Sequence, residues 1–234
     1  MSKRNQQLAD QLQERFGHLL TEIDAQKDCV TIEVLPENLI EVSHALRDDD
    51  PFQFDQLIDV CGVDYSEYGV TEWRADETSN SGYCRGVEPD ETDRVIAWNK
   101  SRFASVYHLL SVAQNQRLRI HVYLNNDEPT VTTVTGVWAS ANWFERESYD
   151  LLGIVYDGHP DLRRILTDYG FVGHPFRKDF PLIGEVELRY DATEQRCVYE
   201  PVSIQPRITV PKVIRNDNRY LHPEPATKEE TSHG

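Results

Sequence analysis

The sequence predicts an α+β domain: a mixed or antiparallel sheet of about four strands with helices on one face, followed by a signature loop region and an extended C-terminal arm. Three observations predict it. Near the N-terminus apolar residues recur at three- and four-residue steps, the buried stripe of a helix. Between residues 29 and 124, short runs rich in Val, Ile, Leu and Tyr alternate with the period of half-buried strands. Beyond Gly153 both periodicities stop, and Gly, Pro and aromatic residues take over.

Leu8, Leu12, Phe16, Leu19 and Ile23 give the first amphipathic helix, with Gly17 placed to split it in two. Cys29–Leu35 alternates Val30, Ile32 and Val34 on one face and reads as a strand. Pro36 opens a second helix running to about Arg47, with Leu39, Val42 and Leu46 inward, and Asp48-Asp49-Asp50-Pro51 closes it. Gln56–Tyr65 is the next strand. Residues 66–94 turn polar and acidic and read as a long surface insertion. Arg102–Val112 and Leu118–Leu124 follow as two strands, and the short link between them makes a hairpin. Thr130–Trp138 fits a strand and a short helix equally well. These elements make up a first domain, residues 1–142.

The stretch from Trp143 to Pro181 is the most distinctive. It carries eight of the 23 aromatic residues and four of the 12 glycines. Asn142 is placed to cap a helix, with Glu145 reaching back to the cap N–H, and Gly153 to end it in the left-handed conformation. On that helix Glu145 and Glu147 point about 200° apart and cannot share a proton. Arg146 and Asp150, four apart, are expected to pair on its surface. Turns then follow at Asp157-Gly158-His159-Pro160, Asp168-Tyr169-Gly170 and Gly173-His174-Pro175, and each Pro holds the preceding His on extended backbone. Arg163 and Arg164 stand side by side in the apolar frame of Leu162, Ile165 and Leu166. From Leu182 to the end, Pro201, Pro206, Pro211, Pro223 and Pro225 leave room only for short pieces, such as Cys197–Tyr199 and Val213–Ile214. Residues 182–234 therefore read as an arm that wraps a partner and ends in a polar tail.

Composition narrows the function. A net charge of −16 sets the chain against nucleic acid and anionic lipid headgroups. No run of about 18 apolar residues exists to span a membrane. The N-terminus lacks an apolar signal core and carries Asp10 and Glu14, so neither a secretory nor a mitochondrial leader is expected. Cys29, Cys61, Cys84 and Cys197 are scattered without a CxxC, which suits a reducing compartment and free thiols. Neither GxGxxG nor GxxxxGK[ST] is present, so no nicotinamide or nucleotide cleft is expected, and the cysteine spacing argues against an iron–sulfur cluster. His159, Asp161 and His174 are legitimate metal ligands; the competing reading has each His bonded to a turn or a buried carbonyl. Arg163 and Arg164 suit an anionic substrate or, the favoured reading, carboxylates across a packed interface.

One resemblance adds to this. Glu145-Arg146-Glu147, Asp150-Leu151-Leu152-Gly153-Ile154, Gly158-His159-Pro160-Asp161-Leu162-Arg163-Arg164-Ile165-Leu166 and Gly173-His174-Pro175-Phe176-Arg177-Lys178-Asp179-Phe180-Pro181 closely resemble one family signature. That family is the 30 kDa subunit (the C subunit in bacteria) of respiratory complex I, the proton-pumping NADH:quinone oxidoreductase. Weaker similarity covers roughly residues 10–65 and 95–215, with 66–94 as an insertion. The resemblance implies a non-redox structural subunit of the peripheral arm, on the cytoplasmic side of the bacterial inner membrane. It would brace the 49 kDa-type subunit (the bacterial D subunit) next to the quinone site, near the subunit that holds the quinone-proximal cluster (the bacterial B subunit). NADH, FMN, iron–sulfur clusters and quinone would belong to other subunits, and this chain would hold no cofactor, metal or catalytic residue. Its partner-interface candidates are Glu145, Arg146, Glu147, Asp150, His159, Asp161, Arg163, Arg164, His174, Arg177, Lys178 and Asp179. The alternatives are the equivalent subunit of a related membrane-bound hydrogenase-type complex, a stand-alone metal hydrolase using His159, Asp161 and His174, and a generic acidic adaptor.

Overall fold

The computed structural model describes residues 3–25, 29–66, 68 and 98–204. Most of the 66–94 insertion, Cys84 and everything from Gln205 on therefore lie outside the described residues, as does the Val213–Ile214 piece. The chain runs α1 (Lys3–Phe16), β1 (Leu20–Ala25), β2 (Val30–Val34), a 3-10 turn at Pro36–Asn38, α2 (Leu39–Asp48), β3 (Gln56–Asp64), β4 (Phe103–Ser111) and β5 (Gln116–Leu124). Then come β6 (Thr130–Thr132), α3 (Ala141–Leu152), β7 (Val155–Asp157), β8 (Val186–Asp191) and β9 (Arg196–Pro201).

Five strands, rather than four, make the main sheet, in the order β1-β2-β5-β4-β3. β2 and β5 run parallel and the other neighbours antiparallel, so the sheet is mixed. The extra strand comes from residues whose spacing predicts helix. α1 stops at Phe16, and Leu20–Ala25 instead pairs with β2, setting Ile23 opposite Ile32. Leu19 and Ile23 satisfy a helical spacing, but β2 would otherwise present an unpaired row of N–H and C=O groups, and β1 fills it. One continuous core takes Leu8, Leu12 and Phe16 from α1, Leu39, Val42 and Leu46 from α2, and the alternating Leu118, Ile120, Val122 and Leu124 of β5. The intervening Arg119, His121 and Tyr123 are half-buried on the other face.

β3 is the far edge strand, and side chains from around α3 close it. Ser140 Oγ donates to Leu57 O (3.2 Å) and Ser148 Oγ to Val60 O (3.0 Å), while Gly62 N donates to Ser148 Oγ (2.9 Å). Gly62 also lets α3 approach: a Cβ there would come within 2.8 Å of both Leu152 and Ile154. Thr130–Trp138 resolves into a short strand, β6, pairing parallel with β7, and a turn in which Val137 N and Trp138 N both donate to Val134 O. The described part of the C-terminal stretch holds the hairpin β8–β9, in register from Val186↔Pro201 to Asp191↔Arg196.

Two local expectations for α3 fail. Its N-cap is Ser140, without a side-chain cap bond, and Asn142 lies inside the first turn. Glu145 does not reach back to the cap, because burial draws its carboxylate to the β6 turn. Gly153 does end the helix, at φ +76° with its N–H on Tyr149 O.

Candidate functional site

The signature loop is organised around a side chain that helical spacing places on the surface. Asp150, in the last turns of α3, is instead fully buried. Its Oδ2 accepts the amides of Ile165 (3.0 Å), Leu166 (2.7 Å) and Thr167 (2.8 Å). Its Oδ1 accepts Arg164 Nη1 (2.9 Å) and the Thr167 hydroxyl. Its backbone carbonyl lies 2.9 Å from His174 Nδ1. Arg164 continues the tie by donating from Nη2 to Gly173 O (2.8 Å). The expected Arg146–Asp150 pair is therefore absent. Asp150 faces the loop instead, because consecutive amides together with a guanidinium solvate a buried carboxylate better than one exposed arginine. Burial pushes the Asp150 carboxyl up, but the Thr167, Leu166 and Arg164 donors outweigh it and hold the group well below the ordinary carboxylate range.

A second buried carboxylate fixes the far end of the loop. Asp64, at the end of β3, accepts Arg102 through Nε (2.9 Å) and Nη2 (2.7 Å), the amide of Lys178 (2.9 Å) and that of Ser66 (3.0 Å). Arg102 also reaches Asp179 at 2.9 Å. Burial acts to raise the Asp64 carboxyl, and the Arg102, Lys178 and Ser66 donors hold it well below its usual range. Arg177 donates to Leu152 O (2.6 Å) and lies over the Phe103 ring, 5.0 Å from its centroid. Sequence reasoning misses Asp64 and Arg102. Nothing local marks them, since they lie 38 residues apart and meet through the β3–β4 pairing.

Gly153 sits where these ties converge. A Cβ there would meet Arg177 Nη2 and would lie 2.6 Å from His174 Nε2, besides forcing φ +76° on a side-chain-bearing residue. Gly153→Ala is expected to lose about 2 kcal/mol from the left-handed backbone alone. Thermal unfolding of the full chain measures it, and an unchanged Tm would contradict the assignment.

The remaining candidates fall into an inner and an outer set. Glu145 is fully buried: its Oε1 accepts Val134 N (2.8 Å) and its Oε2 contacts the Thr133 hydroxyl. Burial, partly offset by those two partners, pushes its carboxyl up to about 7. His159 is neutral in role. Its Nδ1 accepts the Asp161 amide (3.0 Å), so Nε2 carries the proton towards Asn142 O (3.2 Å), and burial lowers its basicity. Arg146 reaches Asp161 at 3.3 Å and stacks on Trp143, and Arg163 pairs with the same Asp161 at 2.9 Å. Glu147, Lys178 and Asp179 are exposed. Also exposed are Trp143, Leu166, Tyr169, Val172 and Phe176, with Tyr169 at 88%.

This geometry does not gather ligands. His159 and His174 each spend a ring nitrogen on a backbone carbonyl. Among the described residues no group of three or more His, Cys, Asp or Glu is placed to hold a metal ion. Cys29, Cys61 and Cys197 are free, and burial followed by Asp59 pushes the Cys61 thiol up to about 11, away from the thiolate a cluster requires.

Comparison with known proteins decides the family. Residues 32–186 match the model of the respiratory-chain NADH dehydrogenase 30 Kd subunit, a span that runs from within β2 through the whole signature loop. The chain belongs to this family. It is 62% identical over 215 residues to the NADH-quinone oxidoreductase C subunit of Coxiella burnetii (strain Dugway 5J108-111), covering 92% of this chain and 95% of that one. With the corresponding C subunit of Legionella pneumophila (strain Corby) the identity is 55% over 218 residues, covering 93% and 96%. A chain of the membrane-bound sulfane sulfur reductase, an archaeal respiratory membrane complex, shares the fold at a TM-score of 0.54 and 16% identity, over 77% of this chain and 88% of that one. Within the 30 kDa family span lie both buried aspartates and all twelve candidate residues. No helix among the described residues is long and apolar enough to cross a membrane.

Proposed function

We propose that this chain is a structural and assembly subunit of the peripheral arm of the proton-pumping NADH:quinone oxidoreductase. In this reading it carries no redox group and sits on the cytoplasmic side of the inner membrane. It braces the 49 kDa-type subunit at the quinone site, close to the subunit that holds the quinone-proximal cluster. NADH, FMN, iron–sulfur clusters and quinone are handled by those other subunits. One observation carries the reading: the signature loop is tied to its own domain by two buried aspartates, yet it turns Leu166, Tyr169, Val172 and Phe176 out to solvent. A loop held rigid from within and apolar outside is built to be covered, since large exposed apolar patches mark interaction surfaces. Rigidity is also what such a brace must supply, because electron transfer to quinone requires cluster and pocket to be held to within ångströms.

Copurification tests it. A tag on this chain, expressed with the rest of the complex, is expected to bring down both neighbouring subunits in equal proportion, and depletion of the chain is expected to abolish NADH:quinone reductase activity. Intact activity in its absence would end the reading.

The stretch from Leu182 is the second contact in this reading. β8–β9 leaves Val186, Leu188, Tyr190 and Tyr199 exposed, and an isolated two-stranded hairpin is marginal in water. Limited trypsin digestion of the free chain is expected to cut after Arg189 and Arg196 well before Arg117 or Arg119 in β5, and the assembled complex is expected to resist. Equal resistance of all four sites in the free chain would place the hairpin with the domain instead.

A further inference from the structure

We infer that the cavity between α3 and the signature loop receives a carboxylate side chain from a neighbouring polypeptide, with Arg146 as its anchor. This deepens the assembly reading above and rests on it. The cavity holds about 360 Å³, and its lining includes Trp143, Arg146, Arg163, Ile165, Asp168 and Tyr169. Arg146 is only 6% exposed, yet among the described residues its Nε and Nη1 meet no hydrogen-bond acceptor, and its Nη2 ion pair there is with Asp161 at 3.3 Å. A buried guanidinium with unpaired N–H groups is among the least favourable arrangements a chain can hold. Its neighbours do not relieve it. The Asp150 carboxylate is taken by Arg164 and the loop amides, and Asp161 is already shared with Arg163.

The chemistry of the missing group follows from the surroundings. Arg146 calls for an anion. Asp161 and Asp168 flank the site, so a doubly charged phosphate is repelled more than a single carboxylate. Trp143 (63% exposed) and Tyr169 (88% exposed) frame it, and a free ion would leave both rings in water. An acidic residue on a polypeptide segment satisfies the arginine and covers the rings together, and Arg, Trp and Tyr are the side chains on which interface energy concentrates. The Trp143 indole stacks on the guanidinium at 4.7 Å, so the part that turns aside on docking is a surface side chain.

The test uses the assembled complex carrying the photo-crosslinking replacement Leu166→p-benzoylphenylalanine, a position next to the cavity whose native side chain is 62% exposed. The crosslinked peptide is expected to come from a partner protein of the complex and to contain Asp or Glu within a few residues of the attachment point. Adding Arg146→Gln is expected to lower the crosslink yield at least about tenfold, as when one member of a buried charge pair is removed, while Arg146→Lys retains part of it. Amide-exchange protection of β4 and β5 reports that each variant is folded. A crosslinked peptide without a carboxylate, or a yield unchanged in a folded Arg146→Gln chain, overturns the inference. So does a chain that copurifies with the complex but gives no crosslink, which leaves the assembly reading standing. Loss of copurification in the unsubstituted chain sinks both.

Discussion

Replacing Asp150 with alanine is expected to cost the free chain about 3–5 kcal/mol, the usual result of breaking a buried ion pair from one side. The carboxylate satisfies three consecutive amides, one hydroxyl and one guanidinium. Its loss takes the counter-charge from Arg164, which keeps only neutral acceptors at Gly173 O, Thr167 Oγ1 and the residue 150 carbonyl, and leaves the amides of Ile165, Leu166 and Thr167 without acceptors. Those three amides are expected to lose their exchange protection, while β4 and β5 keep theirs below the global transition. Asp150→Asn keeps an acceptor oxygen but removes the charge, so a smaller loss of about 2 kcal/mol is expected. Urea unfolding of the full chain measures both, and a loss below about 1 kcal/mol for the alanine variant would mean the loop is held elsewhere. The same carboxylate makes the chain acid-sensitive. Asp150 and Asp64 are both held below the ordinary range, so the unfolded chain takes up protons before the native one does. Their contribution is complete above the unfolded carboxylate value near 3.9 and is lost as pH falls through that value towards the native ones.

Glu145 works in the opposite direction, and Glu145→Gln is expected to stabilise the chain at pH 8 by up to about 3 kcal/mol. Burial moves this carboxyl from an ordinary 4.5 to about 7, so between those values the native state keeps a proton that the unfolded chain has released. Stability from this group is fully present below about 4.5 and is lost as pH rises to about 7. Each tenfold difference in proton affinity between the two states is worth roughly 1.4 kcal/mol. The hydrogen bonds agree with a protonated form. Thr133 Oγ1 has one proton and touches both Thr135 Oγ1 (3.0 Å) and Glu145 Oε2. A neutral Glu145 donates to Thr133, which frees the threonine to donate to Thr135; glutamine does the same through its amide. The difference in stability between variant and wild type is therefore expected to be near zero at pH 4 and to grow up to pH 7. A variant that is less stable than wild type at pH 8 would show that the charged form is the one the fold prefers.

The helix ends and the strands were legible in the sequence wherever the cause was local. Gly153 stops α3 because its left-handed backbone is cheap for glycine alone, and the alternation of Leu118 to Leu124 fixes which face of β5 is buried. The capping box at Asn142 was a local pattern too, yet it misled. Asn-x-x-Glu satisfies the spacing, but Glu145 found Val134 N and Thr133 eleven and twelve residues away.

By itself the sequence determined the class of fold, most element boundaries, the termination at Gly153 and, through an ordered run of residues 145–181, the family. All of these are encoded by residues within a few positions of one another or by an unbroken motif. Only the tertiary structure decided that Leu20–Ala25 is a strand, that Asp150 faces inward to Arg164, and that Asp64 and Arg102 clamp the loop at Lys178. The physical reason is the same in each case. A backbone edge or a buried carboxylate takes whichever distant partner satisfies it most completely once water is gone, and sequence spacing carries no record of which partner the fold will bring.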